Sequence, residues 1–164
     1  MISGSMRKPF LILFLTLSTI AGSAMAQTRK PIFREINVST TDKKRKIELG
    51  GDLKQNVDIV IKSGDVFVLN GNFGNTARLA IRLNDAGLVR EIIFDYRSDK
   101  DFANTVETYS KEFGKPSISQ TLSSAIVKVR MVAWEDGNTR FEIVEKTDYN
   151  QTTVSSVLID KKTK

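Results

Sequence analysis

The stretch from Ala77 to Tyr96 narrows the choice of fold more than any other part of this chain. Leu79, Ile81 and Leu83 alternate with Arg78 and Arg82, the period of a strand with one buried face. Asn84-Asp85-Ala86-Gly87 then turns the chain, and Leu88 to Tyr96 returns with Ile92, Phe94 and Tyr96 on one side. Two such runs around a short turn form an antiparallel hairpin, and its apolar face has to be covered by other elements.

A second hairpin follows the same logic. Ile126 to Trp134 and Thr139 to Glu145 flank Glu135-Asp136-Gly137-Asn138, whose Asp-Gly or Gly-Asn centre suits a tight turn. Trp134 is the only tryptophan in the sequence. It shares a face with Ile126 and Val132, which fits a packing residue, and it ends a strand beside a turn, which fits an exposed anchor for a partner. Val66 to Leu69 reads as a further strand, Asn70 to Asn75 as a loop, and Thr152 to Asp160 as a last strand.

Helical spacing occurs twice. Phe102, Val106, Tyr109 and Phe113 make one apolar stripe, with Ser98 as the expected start, Asp99 and Asp101 in the first turn, and Gly114 and Pro116 as the stop. Earlier, Asp52 is a candidate cap for a short helix through Leu53, Val57, Val60 and Ile61 to Gly64. The β-branched run from Val57 to Ile61 offers a strand as the competing reading. With the helix reading, Val57 and Val106 stand 49 apart, Gly64 and Gly114 stand 50 apart, and the turns at Asn84 and Glu135 stand 51 apart. The expected fold class is therefore α+β, one domain over 47–160 with helices packed on one face of an antiparallel sheet; the spacing near 50 reads either as chance or as two tandem α-β-β-β half-repeats, 47–97 and 98–160.

The ends carry different signals. Arg7 and Lys8, the apolar run Phe10 to Ile20, and Ala24-Met25-Ala26 have the pattern of a signal peptide over residues 1–26. Cleavage between Ala26 and Gln27 would deliver a periplasmic or secreted product, and the apolar run is shorter than the roughly 20 residues of a transmembrane anchor. Residues 27–46 read as a polar and basic arm or an edge strand, and residues 161–164 as a basic tail.

Charge and chemistry are constrained together. The chain has 25 basic and 19 acidic residues, a net +6 that falls to +4 without Arg7 and Lys8. Part of the excess lies in Lys43, Lys44, Arg45 and Lys46, which read either as a solvated segment or as a contact for anionic lipid or glycan. No aromatic interleaves with them, so nucleic acid is not an expected partner. Histidine and cysteine are absent. That removes the commonest general base, thiolate chemistry, the usual zinc ligands and a lipidated cysteine. Asp99 with Asp101 and Glu135 with Asp136 are close carboxylate pairs, and helix-start and turn roles explain both. No cofactor is implied.

Tyr109-Ser110-Lys111-Glu112-Phe113-Gly114-Lys115-Pro116, followed by Trp134 to Ile143, resembles uncharacterised bacterial secreted proteins in which a helix ending in Tyr-Gly-Lys-Pro precedes a tryptophan-bearing hairpin. The match spans roughly residues 98 to 145. The apparent repeat, with Ile47-Glu48-Leu49-Gly50 before it, also resembles small outer-membrane assembly protein and beta-lactamase-inhibitor-like folds. Those folds work by binding other proteins and carry no catalytic residues to transfer; the lipidated cysteine of the assembly lipoproteins has no counterpart here. The functional expectation is a non-enzymatic binding module whose partner is another envelope protein, with Trp134 or Lys43 to Lys46 as contact residues. Binding of anionic envelope lipid or glycan is the alternative, and a carboxylate-based hydrolase a distant third.

Overall fold

The computed structural model describes residues 30–39, 44–53, 59–69, 76–97, 101–149 and 151–162. In order these form β1 (Glu35–Ser39), β2 (Lys44–Glu48), β3 (Ile59–Ser63), β4 (Val66–Leu69), β5 (Thr76–Leu83), β6 (Val89–Tyr96), α1 (Phe102–Phe113), β7 (Ile118–Ser123), β8 (Val127–Glu135), β9 (Thr139–Asp148) and β10 (Gln151–Asp160). β1 and β2 pair with each other, and the remaining strands make one sheet in the order β3-β4-β5-β6-β10-β9-β8-β7. Every pairing is antiparallel. The sheet is thus two four-stranded meanders joined through their last strands, with Ile92 opposite Leu158 and Phe94 opposite Ser156 at the seam.

Two expectations change. The helix proposed from Asp52 to Gly64 is not formed over Ile59–Ser63, which is strand β3, while residues 54–58 lie outside the described set. Asp52 forms an antiparallel bridge with Leu88. Three consecutive β-branched residues, Ile59, Val60 and Ile61, fit a pleated strand better than a helix turn. The fold is consequently β-rich, with α1 the one helix among the described residues. The 50-residue correspondence also fails to match like with like. The Asn84 turn joins the third and fourth strands of its meander, whereas the Glu135 turn joins the second and third strands of the other.

Both expected hairpins form, and their alternation builds the core. Leu79 and Ile81 on β5, Ile92 on β6, Leu158 on β10, Phe141 and Ile143 on β9, and Val132 and Trp134 on β8 are buried on one face of the sheet. Burying each such side chain contributes about 1.5–3 kcal/mol. α1 lies over this face through Tyr109 and Phe113, whose rings stand 4.6 and 6.0 Å from Phe141. Its cap is Asp101, whose carboxylate accepts from the Asn104 N–H at 2.8 Å. Ser98 and Asp99, the expected start, fall outside the described residues. Gly114, at φ 81°, ends the helix by donating its N–H to the Ser110 carbonyl.

The segment before the sheet is an integral part of the core. Ile32 is buried, and the Phe33 ring lies tilted against that of Phe141, 5.4 Å between centres. Arg34 reaches across to the far end of the sheet, donating to Thr139 Oγ1 at 2.9 Å, the Asn138 carbonyl at 3.2 Å and Asp160 Oδ2 at 3.0 Å. Gly50, at φ 79°, leaves room for this cluster, since a Cβ there would stand 3.2 Å from Asp160 Oδ2. No helix among the described residues is long and apolar enough to cross a membrane.

Candidate binding face

Side chains alternate across a strand, so the residues between the core positions point to the opposite face of the sheet. Registers across the strands place Val68, Ala80, Ile93, Val157, Glu142, Ala133 and Ile118 in one transverse row. The next row runs Arg78, Asp95, Ser155, Val144, Met131 and Gln120. Ile93, Val157, Val144, Met131 and Val129 are half-buried by their neighbours in the sheet, yet none belongs to the core cluster or packs on it. Among the described residues no element lies over this face, because α1 and the aromatic side chains of the arm occupy the other one.

Charge on the open face is matched across strands and, for Arg140 with Glu142, along one strand. Arg82 Nη1 donates to Glu91 at 2.6 Å, Arg78 Nε donates to Asp95 at 2.6 Å, and Arg140 lies against Glu135 at 3.2 Å and Glu142 at 2.5 Å. Such cross-strand pairs stabilise the sheet locally and leave the surface with little net charge. The face thus mixes aliphatic patches with neutralised ion pairs, a composition close to that of protein interfaces.

One corner of this sheet carries all three large apolar side chains that are strongly exposed among the described residues. Leu122 on β7 is 68 % exposed, Ile126 in the β7–β8 turn 56 %, and Tyr149 in the β9–β10 turn 75 %. The two turns touch, with the Tyr149 N–H directed at the Ile126 carbonyl at 3.4 Å. Tyr149 adopts φ 50°, a left-handed conformation that costs a non-glycine residue about 1–2 kcal/mol.

The residues singled out by sequence fall elsewhere. Trp134 is 3 % exposed, packed 6.2 Å from Phe113 and 5.9 Å from Phe141, and its Nε1–H donates to the Gly114 carbonyl at 2.8 Å. The exposed-anchor reading of Trp134 is therefore corrected: its parity with Val132 puts it on the covered face, where it ties β8 to the end of α1. Lys43 lies outside the described residues, and Lys44 and Arg45 lie on β2. Lys46 is exposed but is held by Glu35 across the hairpin and by Glu48 at 3.9 Å. The Glu35 contact, as hydrogen bond and as charge, raises the Lys46 pKa above its ordinary value.

Of the carboxylate pairs, Asp101 is the α1 cap and Asp136 Oδ1 accepts from the N–H groups of Asn138 and Thr139 at 2.9 and 2.8 Å. Glu135 faces Arg140 and Lys161. No three acidic, histidine or cysteine side chains converge among the described residues to hold a metal ion. Among the described residues, one cleft of about 230 Å³ lies beside Gly51 and Val89 and another of about 240 Å³ beside Pro31 and Trp134. Both are below the range of roughly 300–1,000 Å³ typical of small-molecule sites.

No known protein family, curated protein or solved structure is significantly similar to this chain.

Proposed function

We propose that this chain is an exported, non-enzymatic module that binds another envelope protein through the open face of its eight-stranded sheet. The observation that carries this reading is the uncovered surface made by Ile93 and Val157 in one row and Val144 and Met131 in the next, aliphatic side chains flanked by arginine–carboxylate pairs. A monomeric sheet with one covered face ordinarily turns polar side chains to water on the other. Aliphatic surface bordered by matched charge suits a protein partner, which gains from apolar burial at the centre and polar contacts at the rim.

Export rests on the signal-peptide pattern of residues 1–26, and intact mass of the processed protein, expected to begin at Gln27, tests it. The charge distribution favours a protein over an anionic lipid or glycan. Lys46 is engaged by two carboxylates, and the arginines of the open face each have a partner. The same balance speaks against nucleic acid.

The test is a crosslinking capture from envelope extract with the wild type and with a Val144→Asp, Val157→Asp variant. Partners that crosslink to the wild type and are lost in the folded variant support the face as the interface. Equal capture by both proteins refutes it.

A further inference from the structure

The two edges of the large sheet are built differently. β3, at one edge, has a register shift against β4 between Ile59 and Ile61 and carries Lys62, whose ammonium sits 5.3 Å from the Phe67 ring centre. A bulge and a lysine are standard ways of blocking an edge against further pairing. β7, at the other edge, has neither. Ile118-Ser119-Gln120-Thr121-Leu122-Ser123 contains no charge and no proline, pairs with β8 without a register shift, and exposes every side chain from Ser119 to Ser123. Its outer N–H and C=O groups have no strand beside them among the described residues.

The six residues are also complementary to themselves. If a second β7 is laid antiparallel beside the first about a twofold axis through Gln120, Ile118 faces Leu122 of the second copy and Leu122 faces its Ile118. Gln120 meets Gln120, and Ser119 meets Thr121. Aliphatic pairs fall on the open face, hydroxyl pairs fall on the other, and no charged residue is placed opposite another. A shift to an axis through Thr121 would set Leu122 against Gln120 and lose the aliphatic pairs.

We propose that β7 is a self-association edge, through which two copies of this chain join into one continuous sixteen-stranded antiparallel sheet. The axis stands perpendicular to the sheet, so both open faces lie on the same side and form one double-width surface. A six-residue edge buries less than the roughly 1,200 Å² of a standard stable interface, so the association is weak and reversible. It is independent of which partner the open face binds, and it can fail while that reading stands.

Sedimentation velocity over rising concentration tests it with purified protein. The wild type is expected to pass from monomer to dimer below about 1 mM. Gln120→Lys and Gln120→Glu each place like charges together on the axis and should weaken the dimer about fivefold, while an equimolar mixture of the two variants restores it. Leu122→Lys, at a side chain already exposed, should weaken it similarly. Circular dichroism controls for folding. A wild type that stays monomeric, variants that associate as the wild type does, or a mixture that fails to recover would each overturn the proposal.

Discussion

Arg34 donates to Asp160 across 126 positions of sequence, at 3.0 Å, and fastens the segment before β1 to the end of β10. Asp160 is 4 % exposed, and its other oxygen accepts from the Lys162 N–H at 3.0 Å. Arg34 is a cation of this cluster, and its guanidinium also donates to the Thr139 hydroxyl, which is fully buried. Arg34→Met should destabilise the fold by about 3 kcal/mol, because it takes a hydrogen-bonded cation away from a buried carboxylate. Adding Asp160→Asn should recover part of that loss, since the buried negative charge that Arg34 balanced is then gone. Urea unfolding of the single and double variants measures both, and additive losses would show the two residues to be uncoupled.

Trp134 reports on the core directly, because the chain has only one tryptophan. Its emission should be that of a buried indole and resist acrylamide quenching until the protein unfolds. Trp134→Phe removes the bond to the Gly114 carbonyl and should cost at least about 1 kcal/mol. Free quenching in the native state would place the indole at the surface and contradict this packing.

Along α1 the apolar stripe is unevenly covered. Phe113 is 2 % exposed, whereas Phe102 is half-buried beneath the Arg130 guanidinium, 4.6 Å from the ring centre. Phe113→Ala should cost about 3–5 kcal/mol and Phe102→Ala less than that. Denaturant midpoints of the two variants give the comparison, and an equal loss would mean that Phe102 is packed as tightly as Phe113.

Alkaline pH should weaken the fold. Burial, reinforced by the neighbouring Tyr96 hydroxyl, raises the Tyr109 phenol well above its ordinary pKa of 10.0. Once the pH passes that ordinary value, the unfolded chain releases this proton and the folded chain keeps it, so stability present below it is lost as pH rises. Tyr109→Phe should flatten the fall in unfolding free energy between about pH 9.5 and 11. An unchanged slope would assign the alkaline loss to other groups.

The hairpins and α1 were legible in the sequence because each combines a period with punctuation: Leu79 and Ile81 before the Asn84 turn, Phe141 and Ile143 after the Glu135 turn, Phe113 before Gly114. β7 was not, because Ser119, Gln120 and Thr121 lie at an edge where both faces meet water and no apolar alternation is required. Leu53, Val57 and Ile61 suggested a helix because apolar spacing alone does not separate a short helix from a β-branched strand. The seam between β6 and β10 had no local signal at all, since the choice of a distant neighbour depends on the assembled sheet. The open face was hidden for the same reason: Ile93, Val144 and Val157 become one surface only when that seam is known. The Leu122, Ile126 and Tyr149 corner likewise joins two turns that are separate in sequence.

That seam also sets the order in which the molecule can be completed. Asp95 waits for Ser155, and between them the chain must lay down a helix and three strands before β6 receives its second neighbour. Until then the first meander carries an unzipped border through Ile92 and Phe94, apolar and open to the wrong chain. Contacts this distant in sequence form slowly, so the vulnerable period of this protein is its synthesis, and a chaperone holding β6 would protect the whole sheet.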